Sequence, residues 1–129
     1  MLFVFPRRSV LLIMLFFCAS TALAQYNVDS LKVVVSNPAL HDTTRLATIA
    51  VLIDNLYENK DVEKYNSLMG KIAHKGLSKS NNNAALKNKY TIYLAAYYNN
   101  ISFQLEQTRD PKALGYLNKS IELYKSIVK

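Results

Sequence analysis

Cysteine is almost missing from this 129-residue chain, and the one present, Cys18, lies inside an apolar N-terminal run. Downstream of it, disulfides, thiolate zinc sites and a cysteine nucleophile are excluded. Tryptophan is absent, and glycine and proline occur three times each. Gly70, Gly76 and Gly115 stand singly, so no glycine-rich loop is available to cradle a phosphate. The two histidines, His41 and His74, are far apart, and neither has a His or carboxylate at helical ligand spacing. Surface positions are expected for both, and neither a metal nor a cofactor. The 16 Lys and Arg exceed the 9 Asp and Glu, but they are spread along the chain. A nucleic-acid partner would call for a clustered basic patch, so none is expected, and the excess reads as a solubility feature.

What is present begins with a leader. Arg7 and Arg8 precede an apolar run from Val10 to Phe17, and Ala22-Leu23-Ala24 before Gln25 supplies the small residues that a signal peptidase accepts. Residues 1–24 therefore read as a secretory signal cleaved between Ala24 and Gln25, and residues 25–129 as one exported domain with a modest core. A lasting anchor needs roughly 20 apolar residues. The run from Val10 to Ala24 is shorter and is diluted by Cys18, Ser20 and Thr21, so no stable membrane span is expected after cleavage. Leu15-Phe16-Phe17-Cys18 resembles a bacterial lipobox, but Phe17 stands where that pattern has a small residue, which favours cleavage over lipidation.

Behind the leader the apolar spacing is helical and predicts an all-α fold of antiparallel hairpins. Asp29 is placed to cap a short helix through Leu31, Val34 and Val35, although Val33 to Val35 also suits a strand. Asn37-Pro38 stops it. Asp42 caps a second helix carrying Leu46, Ile49, Ala50, Ile53, Leu56 and Tyr57 on one stripe and ending near Asn59. Asp61 caps a third, with Val62, Tyr65, Leu68, Met69 and Ile72 inward and Lys75-Gly76 as a left-handed stop. A gap of roughly two or three residues makes this pair an antiparallel hairpin over 42–77.

The segment 78–83, Ser-Lys-Ser and three asparagines, has no apolar residue to bury and marks a break. A second hairpin, 84–129, follows. Its first helix runs from Ala84 through Leu86, Tyr90, Leu94, Tyr97, Ile101 and Leu105. Ile92, Tyr93, Ala96 and Phe103 add apolar surface on other sides, which calls for several neighbours. The last helix opens at Asp110-Pro111 with Ala113, Leu117, Ile121, Tyr124 and Val128 inward and Lys112, Lys119, Lys125 and Lys129 outside.

Tyr98-Asn99-Asn100-Ile101-Ser102, then Leu105, Asp110-Pro111-Lys112-Ala113-Leu114, Tyr116-Leu117 and Lys119-Ser120-Ile121-Glu122-Leu123-Tyr124 resemble a tetratricopeptide repeat. Ser102, Ala113 and Ser120 stand where that family places small residues so that two helices approach closely. Upstream, Ile53 and Tyr65 occupy the equivalent small positions, and Asp61 to Asp110 exceeds the repeat length of roughly 34 residues. The resemblance implies a short, irregular tetratricopeptide-like array. With the leader, Asp29-Ser30-Leu31-Lys32 and Asp42-Thr43-Thr44-Arg45-Leu46, the chain looks like the periplasmic N-terminal region of tetratricopeptide-containing sensor histidine kinases or regulators of Gram-negative bacteria.

Asp54 and Glu58 share a helix face at a four-residue step, the spacing of a general acid and base pair. No third group converges on them, so a solvated face is the better reading and no enzyme activity is expected. Tyrosine crowds one helix at Tyr90, Tyr93, Tyr97 and Tyr98. Tyr90 and Tyr97 are expected between helices, whereas Tyr93, Tyr98, Asn99 and Asn100 are the candidates for a binding face. The expected function is a non-enzymatic periplasmic protein-interaction module, the input region or a piece of a signalling protein, holding a protein or peptide partner. The alternative is a structural, envelope-associated helical protein that packs into a larger complex.

Overall fold

Asn27 opens the first helix, α1 (Val28–Ser36), by accepting hydrogen bonds from the backbone N–H of Asp29 and Ser30 at 3.1 and 3.3 Å. Asp29, expected as the cap, sits instead in the first turn, where its charge suits the helix dipole. The computed structural model describes residues 27–80 and 82–128, so the leader and its cleavage site at Ala24 and Gln25 lie outside the described residues. Among the described residues there are five α-helices and no strand. The valine run stays helical because Val35 is buried in the core and its carbonyl receives Arg45 Nε at 3.1 Å.

Each later helix starts or stops a little away from the expected residue, and side-chain chemistry explains most of the shifts. The second helix, α2 (Asp42–Asp54), is capped by His41, whose Nδ1 accepts from the Thr43 N–H at 3.2 Å, rather than by Asp42. It ends at Asp54 and not near Asn59, because Asn55 turns its amide back onto the Val51 carbonyl at 2.7 Å. Tyr57, expected on the buried stripe, therefore lies beyond the helix and is 95 % exposed.

The third helix, α3 (Asn59–Lys79), begins before Asp61, with Glu58 at the N-cap but making no side-chain cap bond. Asp61 instead reaches Lys32 at 3.7 Å and ties α3 to α1. Gly76 does not stop the helix. No glycine has a positive φ, and the place of a Gly76 Cβ is taken by the ring of Tyr90. That glycine serves a close approach. The helix ends at Ser80, whose N–H and hydroxyl both donate to Leu77 O, at 3.3 and 2.9 Å.

Asn83 caps the fourth helix, α4 (Ala84–Gln107), by accepting from the Leu86 N–H at 2.9 Å. Its end is a Schellman turn: Arg109 N donates to Glu106 O and Asp110 N to Leu105 O, both at 2.9 Å, with Arg109 in the left-handed region at φ 56. Asp110 does not open the last helix as expected: it accepts from Lys112 N at 2.8 Å within a turn, and the fifth helix, α5 (Ala113–Ile127), starts after it with Lys112 at the N-cap.

Every helix packs on the next in the chain, and α2 also reaches across to α4, so α4 has the several neighbours its composition called for. The core joins Val35, Leu46, Ile49, Leu52, Tyr65, Met69, Ile72, Ala73, Tyr90 and Leu94. α5 contributes little to it. Ser120 is its one buried residue among those described, and Leu123 is its contact with the core cluster.

The expected inner face of α5 is displaced. Leu117, Ile121, Tyr124 and Val128 point outward, while Ser120 is 2 % exposed and Tyr116, Leu123 and Ile127 are half-buried. Close approach decides the rotation: Ser120 Oγ donates to Ala95 O at 2.9 Å and Ser102 Oγ to Ala113 O at 2.8 Å. A larger side chain at either point would hold the two helices apart.

Candidate binding groove

The residues that line the space between α2 and α4 define the relative direction of these helices. Thr43, Thr44 and Ala47 near the start of α2 meet Lys89, Ile92 and Tyr93 near the start of α4. Ile53 and Asp54 at the end of α2 meet Asn100, Phe103, Gln104 and Gln107 toward the end of α4. Thus α2 and α4 run parallel, with α3 returning between them, and a shallow groove follows the line where they approach.

At the N-terminal end of this groove lies a hollow of about 380 Å³, and at its C-terminal end a separate cleft of about 280 Å³. Its apolar wall comes from Ile53, Leu56, Tyr57, Val62 and Phe103, and its polar wall from Asn59, Asn100, Gln104 and Gln107 with one acid, Asp54. Tyr57 is 95 % and Phe103 61 % exposed. Two aromatic rings left in water beside neutral amides form a surface suited to a polypeptide: the rings take an apolar side chain, and each amide offers a donor and an acceptor to a backbone.

The four residues expected on a binding face are divided between two sides of α4. Tyr93 lines the N-terminal half of the groove and Asn100 the C-terminal cleft. Asn100 also has a packing role. Its Nδ2 donates to Asn66 Oδ1 at 3.0 Å, and Asn66 Nδ2 donates to Tyr97 O at 3.1 Å, which fixes α3 against α4. Asn99 is exposed on α4.

Tyr98 belongs to a different site, a shallow hollow shared with Leu94, Lys119, Glu122, Leu123 and Ser126. There its ring stacks on Tyr116 at 6.1 Å, lies 5.0 Å from Tyr97 and meets His74 edge-on at 6.3 Å. Lys119 Nζ sits 5.5 Å from the Tyr98 centroid and 5.2 Å from that of Tyr116. The cluster ties α3, α4 and α5 together, with His74 at its exposed edge. Burial, followed by the neighbouring Tyr98 and Tyr116, raises the Tyr97 phenol above its ordinary range. Tyr90, which is 4 % exposed, is raised by burial and then by Asp42.

Asp54 and Glu58 do not share a helix. Asp54 ends α2, and Glu58 precedes α3, both exposed. Sequence reasoning overlooked Tyr57 and Phe103 as site residues because both were read as helix-packing positions. The polar run Glu58-Asn59-Lys60-Asp61 is the signal that could have placed Tyr57 outside α2. Among the described residues no helix is long and apolar enough to cross a membrane. Comparison of the chain with family models, curated proteins and solved structures returns no match.

Proposed function

We propose that this chain is a non-enzymatic, exported protein-interaction module that holds a polypeptide segment in the α2/α4 groove. One observation carries the reading: Tyr57 and Phe103, both solvent-exposed, line a single cleft walled by neutral amides. Large aromatic surface is costly to leave in water and is the kind of anchor that dominates protein interfaces. The parallel, translation-like placement of α2 and α4 and the serine contacts between α4 and α5 support the resemblance to tetratricopeptide arrays. With the leader, these features support a role as the periplasmic input region, or a piece of one, of a signalling protein.

The test is selection of a phage-displayed random peptide library on the immobilised chain, followed by calorimetric titration of the enriched peptides. Replacing Tyr57 and Phe103 together by Ser is expected to weaken binding by about 30-fold or more, the loss typical of a hot spot. Failure to enrich any peptide, or equal affinity for the double variant, would contradict the reading. The structural alternative has its own support in the apolar outer face of α5.

A further inference from the structure

The outward face of α5 has a regular pattern. Leu114 (64 % exposed), Leu117 (37 %), Ile121 (40 %), Tyr124 (42 %) and Val128 (87 %) recur at steps of three, four, three and four residues. This is the spacing of a helix-pairing seam, in which alternate side chains enter the gaps of a facing helix. The inner side of α5 is a separate stripe that includes Ser120 and Leu123, so the outward seam lies outside the core cluster.

We infer that this seam pairs with the same seam of a second copy, α5 against α5 in antiparallel, about a two-fold axis at Ile121. Three features favour a second copy as the occupant. The first is matching along the seam. A two-fold at Ile121 sets Ile121 on itself, Leu117 against Tyr124 and Leu114 against Val128, so every apolar residue of the strip meets another.

The second is charge. The residues bordering the seam on its solvent side are Asn118 and Lys125, and the two-fold brings Lys125 beside Asn118 of the second copy. No like charges meet directly, and the antiparallel arrangement opposes the two helix dipoles favourably. The third is area. The exposed strip amounts to roughly 500 Å², within the range of the largest patch on a monomer. Counted on both copies it reaches about 1,000 Å², the floor for a specific interface. The pairing is therefore expected to be reversible, with a dissociation constant in the micromolar range.

Sedimentation velocity of the full chain from about 1 to about 100 µM tests this, since that range spans the dissociation constant expected for a small interface. The sedimentation coefficient should rise from monomer to dimer over the series. Ile121→Glu, which sets two carboxylates against each other on the axis, should weaken dimerisation about a hundredfold and leave a monomer throughout. Ser126→Glu, an exposed position off the seam, should still dimerise. Circular dichroism shows whether each variant keeps its helices.

Hydrogen exchange on the unaltered chain gives the same answer without substitution: α5 amides should gain protection as concentration rises. A chain that stays monomeric at the highest concentration, or a dimer that Ile121→Glu leaves intact, overturns the inference. Monomeric behaviour would remove a second copy as the occupant of the seam. The α2/α4 groove is a separate surface, so Tyr57→Ser and Phe103→Ser should not change this equilibrium.

Discussion

Arg109 holds a backbone conformation in which a Cβ is unwelcome, at φ 56 in the Schellman turn that ends α4. Arg109→Gly relieves that strain and is expected to raise the unfolding free energy by about 0.5–1 kcal/mol, measured by urea denaturation. Gly76 is the reverse case. Its missing side chain makes room for the Tyr90 ring, so Gly76→Ala should destabilise by about 1–2 kcal/mol, because overpacking outweighs the gain of about 1 kcal/mol in helix propensity.

The Tyr90 and Tyr97 phenols are both raised above the ordinary value of 10.0. Below about pH 10 both folded and unfolded chains keep them neutral, and they contribute no pH dependence. Above it the unfolded chain ionises first, so stability should fall as pH rises toward the folded values. Thermal melts at about pH 9 and about pH 11 check this, and Tyr97→Phe should reduce the fall. At this scale the sequence announced Tyr65 and Tyr90 as buried, because aromatic residues at helical spacing pack, but the same reasoning placed Tyr57 inward, and it is 95 % exposed. Arg109 and Gly76 were not legible. A left-handed arginine leaves no compositional trace, and a glycine near a helix end reads as a stop until the ring above it is seen.

Helices were the most legible level. All five follow from apolar spacing and a break before α4 from turn chemistry, although that break starts at Ser80 rather than Ser78 and α5 is capped at Lys112 rather than Asp110. The rotation of α5 was not legible, since it carries two apolar stripes and hydrophobicity alone favours the one with larger residues. The fold buries the other, because Ser120 and Ser102 allow contact that Ile121 in their place would block. The consequence is an element that packs closely on α4 yet contributes little to the core, with Ser120 buried and Leu123 reaching it. In dilute solution, amide exchange in α5 should therefore be faster than in the middle of α3, where Tyr65, Met69, Ile72 and Ala73 are buried. Equal protection of the two helices would show that α5 is held by more than these contacts.

For the whole molecule, the arrangement matters more than any single residue. Running α2 and α4 in parallel brings the end of one, the turn after it and the end of the other into one cleft, so Tyr57 and Phe103 meet although they are far apart in sequence. That juxtaposition could not be read from spacing. Of the residues expected on a binding face, the fold brings Tyr93 and Asn100 to the groove and leaves Tyr98 in the α4/α5 aromatic cluster. Binding should accordingly tolerate Tyr98→Phe and respond to Tyr57 and Phe103.

The most direct measurement is two-dimensional amide NMR of the chain titrated with a peptide enriched on it. Shifts concentrated in Ile53–Asn59 and Asn100–Gln107, and abolished by Tyr57→Ser with Phe103→Ser, are the expected result. Shifts confined to α5, or spread evenly without saturation, would contradict the groove as the binding face.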